Sequence, residues 1–177
     1  MEIVQLHIGE LSPIRQRCIA SVKAFYPDWL YTFHTSADDV MKEIMEKYGI
    51  SDYPKEWTGS HRWHGGIVAV SDWFRFYLLS LPGDRVWIDT DLEIVNRFDF
   101  TETGKPYFNY VNQNKQLDYS FIYNNGCQDT FDAVLRRRVK EKHFGWMVHE
   151  PGCMGHYPIP SEYFKHYGSS EYFDASK

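Results

Sequence analysis

The chain has 177 residues, 43% hydrophobic and 18% aromatic, with a formal charge of -5. That length suits one domain over residues 1–177, the apolar content excludes a disordered chain, and the negative charge excludes a broad basic field for nucleic acid. The three cysteines, Cys18, Cys127 and Cys153, are odd in number and form no Cys-x-x-Cys pair, which argues against a disulfide framework or a zinc ribbon. No basic stretch followed by an apolar run opens the chain, and its apolar runs are far too short to span a bilayer. Neither a signal peptide nor an intrinsic membrane anchor is expected, and a cytoplasmic protein is.

Ile3 to Ile8 reads as a short buried strand broken by Gly9. Ser12 and Pro13 then make a helix start, and Ile14, Cys18, Val22 and Phe25 recur on one face of it. Trp29 to Thr35 is a second strand, and Ser36 with Asp39 predicts a capping box before a helix carrying Val40, Ile44 and Tyr48 and ending at Gly49. Residues 50–60 read as a loop. A strongly apolar helix follows from Gly66 to Leu81, closed by Pro82-Gly83-Asp84. Val86-Trp87-Ile88 is a short central strand, with Leu92 to Val95 continuing extended. Tyr107–Val111 and Tyr119–Tyr123 are further strands, Phe131, Val134 and Leu135 mark a helix to about Lys142, and the remainder reads as loops and short elements. Strands and helices alternate through the first half. This predicts one α/β domain with a mostly parallel sheet and helices on both faces.

The chemistry concentrates at Asp89-Thr90-Asp91, at the carboxyl end of the central strand, where open α/β sheets place ligands. In extended backbone Asp89 and Asp91 would face one way and Thr90 the other. Two carboxylates on one face call for a cation, and an oxygen-seeking divalent ion, Mg2+ or Mn2+, fits, with phosphate oxygens and water completing its shell. Asp-x-Asp alone is an unspecific pattern. The preceding helix adds Asp72 and Arg75, three apart on one face of an otherwise apolar segment, where charges must pair or line a cleft.

The stretch Ala69-Val70-Ser71-Asp72-Trp73-Phe74-Arg75-Phe76-Tyr77-Leu78-Leu79, followed by Val86-Trp87-Ile88-Asp89-Thr90-Asp91-Leu92-Glu93-Ile94-Val95, resembles the DXD-containing sugar-binding region of a glycosyltransferase family. That family includes yeast initiating mannosyltransferases and bacterial capsular-polysaccharide transferases, and clostridial toxin glucosyltransferase domains are similar. Weaker likeness covers Ile3–Gly9, Arg17–Val22, Pro27–Trp29 and Ser161–Phe164. The resemblance implies a single GT-A, Rossmann-like domain with a reduced acceptor side. It implies a metal-dependent hexosyltransferase, retaining in outcome, that uses a UDP- or GDP-sugar and a saccharide or protein acceptor, as in polysaccharide biosynthesis.

Carried onto this chain, Asp91 binds the metal, and Asp89 contacts the ribose and the metal's water shell. Asp72 and Arg75 hold the ribose or donor sugar, and Arg75 steadies Asp89. His7 takes the place of the aromatic that stacks on the base. Tyr119-Ser120 stands where the family has Asn-Ala, making Tyr119 a donor-side residue, and Asp84-Arg85 replaces a Gly-Gly. His166-Tyr167-Gly168-Ser169 resembles a carboxyl-terminal His-Tyr-x-Gly segment, which makes His166 a third metal ligand, with His156 as a rival and Ser169 as a weak oxygen ligand or phosphate contact.

No acid–base pair stands out; Glu150, Asp118 and Glu162 are candidates. His61 and His64 have His-x-x-His spacing without a second pair, so a zinc site is discounted. Two other readings remain: a non-catalytic sugar-nucleotide or glycan-binding module on the same fold, and a metal-dependent phosphohydrolase.

Overall fold

The computed structural model describes residues 1–58, 66–110, 117–145, 147 and 154–167. A six-stranded sheet of order β2-β1-β3-β6-β5-β7 forms the middle layer. Its strands are β1 (Glu2–Leu6), β2 (Leu30–His34), β3 (Arg85–Ile88), β5 (Tyr107–Tyr110), β6 (Leu117–Tyr123) and β7 (Tyr157–Ile159). β1 pairs in parallel with both β2 and β3, and β7 with β5, while β6 runs antiparallel to its neighbours. The sheet is therefore mostly parallel, with β6 reversed among the described strands.

Helices cover both faces, and strand alternation decides which residues meet them. Val4, Trp87, Phe108 and Ile122 pack with α2 (Asp38–Tyr48), α4 (Ile67–Ser80) and α5 (Gln128–Lys140). Their chain neighbours Ile3, Val86, Ile88, Tyr107, Phe121 and Tyr123 turn to the opposite side, toward Val22 of α1 (Pro13–Phe25). On that side a second, two-stranded sheet pairs β4 (Leu92–Ile94) antiparallel with β8 (Phe164–His166). Ser21 of α1 accepts a hydrogen bond from the Ile94 amide at 2.8 Å, pinning this small sheet to the helix.

Helix ends follow local chemistry. Ser12 caps α1, its hydroxyl accepting from the Arg15 amide at 3.3 Å, with Pro13 in the first turn. Gly49 ends α2 at φ 67°, a left-handed conformation that costs glycine little. The Ser36–Asp39 box does not form: α2 is capped at Ala37, and the Ser36 hydroxyl accepts from the Asp38 amide instead.

The expected loop over 50–60 contains a helical turn, α3 (Lys55–Thr58). Trp57 explains it, because its indole donates to the Phe144 carbonyl at 3.0 Å and its ring meets Trp73 and Phe144. Helix α4 is buried around most of its circumference, from Ala69 to Ser80 apart from Ser71, which is why its sequence reads as almost unbroken apolar residues. Among the described residues no helix is long and apolar enough to cross a membrane.

Candidate functional site

β2 lies on one side of β1 and β3 on the other, so the order of connection reverses between β1 and β3. At such a point the loops leave the strands in opposite directions and open a crevice at their carboxyl ends. His7 follows β1 there, and Asp89-Thr90-Asp91 follows β3.

Asp89 keeps the strand's alternation, on the α4 side with Trp87. The Trp87 indole donates to Asp89 Oδ1 at 2.6 Å, and Arg75 Nη2 of α4 lies 3.5 Å from the same oxygen. Arg75 is 6% exposed and is itself surrounded. Its Nη1 donates to the Tyr119 carbonyl at 2.8 Å, its Nε stands 3.5 Å from Asp72 Oδ1, and its guanidinium lies over the Trp87 ring. Asp72, 2% exposed, also accepts from the Met147 amide at 2.9 Å. Burial pushes the Asp72 carboxyl up from its ordinary pKa, against the pull of Arg75, the Met147 amide and Arg138.

Beyond Asp89 the chain stops being extended. The Leu92 amide donates to the Asp89 carbonyl at 3.2 Å, closing a turn. The expectation of two aspartates on one face with Thr90 opposite is corrected accordingly. Thr90 and Asp91 share a partner on the α1 side, Arg15, whose Nη1 donates to the Thr90 hydroxyl and whose Nη2 lies 3.9 Å from Asp91 Oδ2. Arg15 Nη1 also stands 3.2 Å from His7 Nδ1, while His7 Nε2 meets the Glu10 carbonyl at 3.0 Å.

The other oxygen of Asp91 faces the distant β8 strand, with Oδ1 3.5 Å from His166 Nε2. The pairing of Leu92 with His166 and the Tyr167 amide bonded to the Asp91 carbonyl at 2.9 Å fix that approach. Burial would raise the Asp91 carboxyl, but the hydrogen bond and charge of His166, followed by the charge of Arg15, hold it below its ordinary value. Tyr167 is anchored in turn: its hydroxyl donates to Glu93 and accepts from Arg17, and Arg17 Nε pairs with Glu93 at 3.2 Å.

The chemistry of these donors suits a divalent ion in part. Two ligand atoms side by side on an ion with bonds of about 2.1 Å lie about 3 Å apart, close to the separation of Asp91 Oδ1 and His166 Nε2. The carboxylate suits magnesium or manganese, while an imidazole is more typical of zinc, iron, nickel or copper, so the pair does not by itself select one metal. Among the described residues no three His, Cys, Asp or Glu side chains gather as a metal cage, so the expected set of Asp89, Asp91 and His166 is not brought together as one.

The remaining sequence candidates fall elsewhere. Tyr119 is 8% exposed within the core, its hydroxyl donating to the Met147 carbonyl at 3.1 Å; it reaches the site through its backbone carbonyl under Arg75. His156 contacts Phe108 edge-on, on the side of the sheet opposite α1 and β8. Glu162 is exposed on the 3₁₀ turn Ser161–Tyr163. His61, His64, Glu150, Cys153, Gly168, Ser169 and the Asp118 side chain lie outside the described residues. Cys18 is wholly buried and its thiol is pushed up to about 12, first by burial and then by Glu93 and Asp91, so it is no thiolate nucleophile. Arg15 and Trp87 are not marked by the sequence pattern: the first reaches Thr90 from 75 residues away, and the second reads in sequence as a core aromatic.

No protein-family model matches the chain, and no curated protein matches it in sequence. Several solved structures are similar in shape, among them the following three. A crystal structure of the galactosyltransferase LgtC in complex with donor and acceptor sugar analogues matches at 11% identity and TM-score 0.46, over 89% of this chain and 67% of that one. A structure of an active-site mutant of LgtC matches at 13% identity and TM-score 0.48, over 90% and 72%. A glycosyltransferase involved in glycosylation of the major capsid of PBCV-1 matches at 8% identity and TM-score 0.47, over 90% and 80%. At such values a likeness does not settle an activity, which depends on the site.

Proposed function

We propose that the chain is a GT-A-type glycosyltransferase that moves a hexosyl group from a UDP- or GDP-sugar to a saccharide or protein acceptor, with Mn2+ or Mg2+. The observation that carries this reading is Asp91 facing His166, with the Arg75-braced Asp89 two residues earlier in the chain on the other side of the turn, at the point where the sheet's connections reverse. That crevice is where α/β sheets take up nucleotides. Asp91 and His166 would hold the ion, which supplies positive charge to the departing diphosphate. Asp89, kept in place by Arg75 and Trp87, would orient the ribose and the water around the ion. His7, which follows β1, would lie against the base. Retention of configuration at the transferred sugar belongs to the same reading through the family resemblance.

A thermal-shift panel of UDP- and GDP-sugars with and without Mn2+ tests it. Ligand at a hundredfold its Kd stabilises by about 2.7 kcal/mol, or roughly 5–10 °C for a chain of this size. A shift with one nucleotide class, dependent on the ion and followed by slow donor hydrolysis, is expected. Absence of any shift across the panel overturns the reading. Ion-dependent binding with neither hydrolysis nor transfer makes the chain a non-catalytic sugar-nucleotide module.

A further inference from the structure

Arg15 stands third in helix α1, with its amide bonded to the capping hydroxyl of Ser12. Its side chain leaves the helix toward the crevice and is 26% exposed. It joins three groups from two strand ends: Thr90 through a hydrogen bond, His7 Nδ1 at 3.2 Å, and Asp91 Oδ2 at 3.9 Å. The last separation exceeds the roughly 2.7–2.9 Å of a charge-assisted hydrogen bond, so Arg15 holds that carboxylate by charge. Asp91 is thus flanked by Arg15 on one oxygen and His166 on the other.

A divalent ion arriving alone on the His166 side must approach a carboxylate already neutralised by a guanidinium, with like charge nearby. A diphosphate changes that balance, because its oxygens can satisfy both the ion and the planar donor fork of an arginine. Thr90 and His7 fix the guanidinium at the crevice mouth, beside the carboxylate proposed to carry the ion.

We propose that Arg15 binds the diphosphate of the donor and, until the donor arrives, serves as the counter-ion of Asp91, so that cation binding depends on nucleotide. This rests on the donor reading above and adds to it a phosphate contact and an order of binding. Arg15 is a binding residue in this scheme; it takes no part in bond cleavage.

The test uses the whole chain and two isothermal titrations, Mn2+ alone and UDP or GDP with Mn2+ present. For Arg15→Gln the two affinities are expected to move in opposite directions. Mn2+ alone binds several-fold more tightly, because the competing charge is gone, and nucleotide binds on the order of tenfold or more weakly, as expected for loss of a hydrogen bond to a charged group. Arg15→Lys keeps the charge and loses the fork, so Mn2+ affinity stays at the wild-type value while nucleotide affinity falls part of the way. A melting curve of each variant identifies unfolding, which weakens both titrations together. Unchanged nucleotide affinity in a folded Arg15→Gln protein overturns the proposal while leaving the donor reading intact. Looser Mn2+ binding in that folded variant also overturns it. If the wild-type chain binds neither nucleotide, the donor reading and this inference fall together.

Discussion

The two aspartates of the motif are neighbours in sequence and live in different surroundings. Asp89, itself 26% exposed against 21% for Asp91, is braced from the body of the protein: its Oδ1 is held by the Trp87 indole and by Arg75, which is 6% exposed and fixed by Asp72 and the Tyr119 carbonyl. Asp91 sits on a turn, and both partners of its carboxylate, Arg15 and His166, come from elements that cover the opposite face of the sheet. A carboxylate braced by buried groups is costly to disturb, whereas one held at the junction of a helix and an added strand can exchange partners. The contrast predicts a division of labour: Arg75 matters for stability and Asp91 for turnover.

Asp91→Asn should produce the largest effect. Donor hydrolysis and transfer fall on the order of a hundred- to a thousandfold, the range for losing one electrostatic contact to developing charge. The melting midpoint stays within a few degrees, because the asparagine keeps the size of the side chain. Near-normal transfer by the folded variant, still requiring Mn2+, would remove Asp91 from the ion.

Arg75→Ala should reverse the pattern of damage. Leaving Asp72 buried without its cation costs about 3–5 kcal/mol, which lowers the midpoint by about 10 °C or more in a chain of this size. Donor binding weakens with it. A variant that melts like the wild type but no longer binds donor would show that Arg75 acts on ligand alone, and the contrast drawn above would fail.

The smallest effect is expected far from both aspartates, at Asp132 on α5, where Tyr48, Lys47 and Arg136 converge on one carboxylate. Burial works against its charge, yet hydrogen bonds from these three bring it down to about 2. A carboxylate whose pKa is lowered on folding stabilises above its unfolded value of about 3.9 and loses that contribution as pH falls through the folded value. Asp132→Asn should therefore melt slightly below the wild type at pH 6–7. The two curves should converge between pH 4 and pH 2, with donor binding at neutral pH untouched. A constant difference over that range would show that the network is not what Asp132 contributes.

The part of the site made by nearby residues was legible in the sequence. Asp72 and Arg75 share a helix face by spacing alone, and Asp89 ends a strand whose apolar lead-in is plain. What failed depended on distant packing. The turn at Asp89–Leu92 was masked because Leu92-Glu93-Ile94 does form a strand, β4, and the bend before it leaves no turn residue more telling than the aspartates themselves. Helix α3 is a single turn, too short for propensity to mark, and it exists because Trp57 reaches Phe144. The Ser36–Asp39 spacing was misleading because the helix is capped at Ala37, one residue after the serine. The α/β layering was predictable from alternation, but the reversal of β6 was not, since an apolar run carries no direction.

The pairing of β4 with β8 also bears on how the protein is made. Tyr167 and its partner Glu93 are 74 residues apart, and Tyr167 and Arg17 are 150 apart. On the ribosome the aspartates, α1 and α4 all emerge well before His166, so the half of the crevice built on Asp89 can form while the half facing Asp91 still lacks its strand. Closing so long a loop is entropically slow and comes late in folding. A nascent chain not yet extended to β8, or one truncated before it, would leave Asp91 without His166, so the proposed ion site would be completed only after that strand has been made.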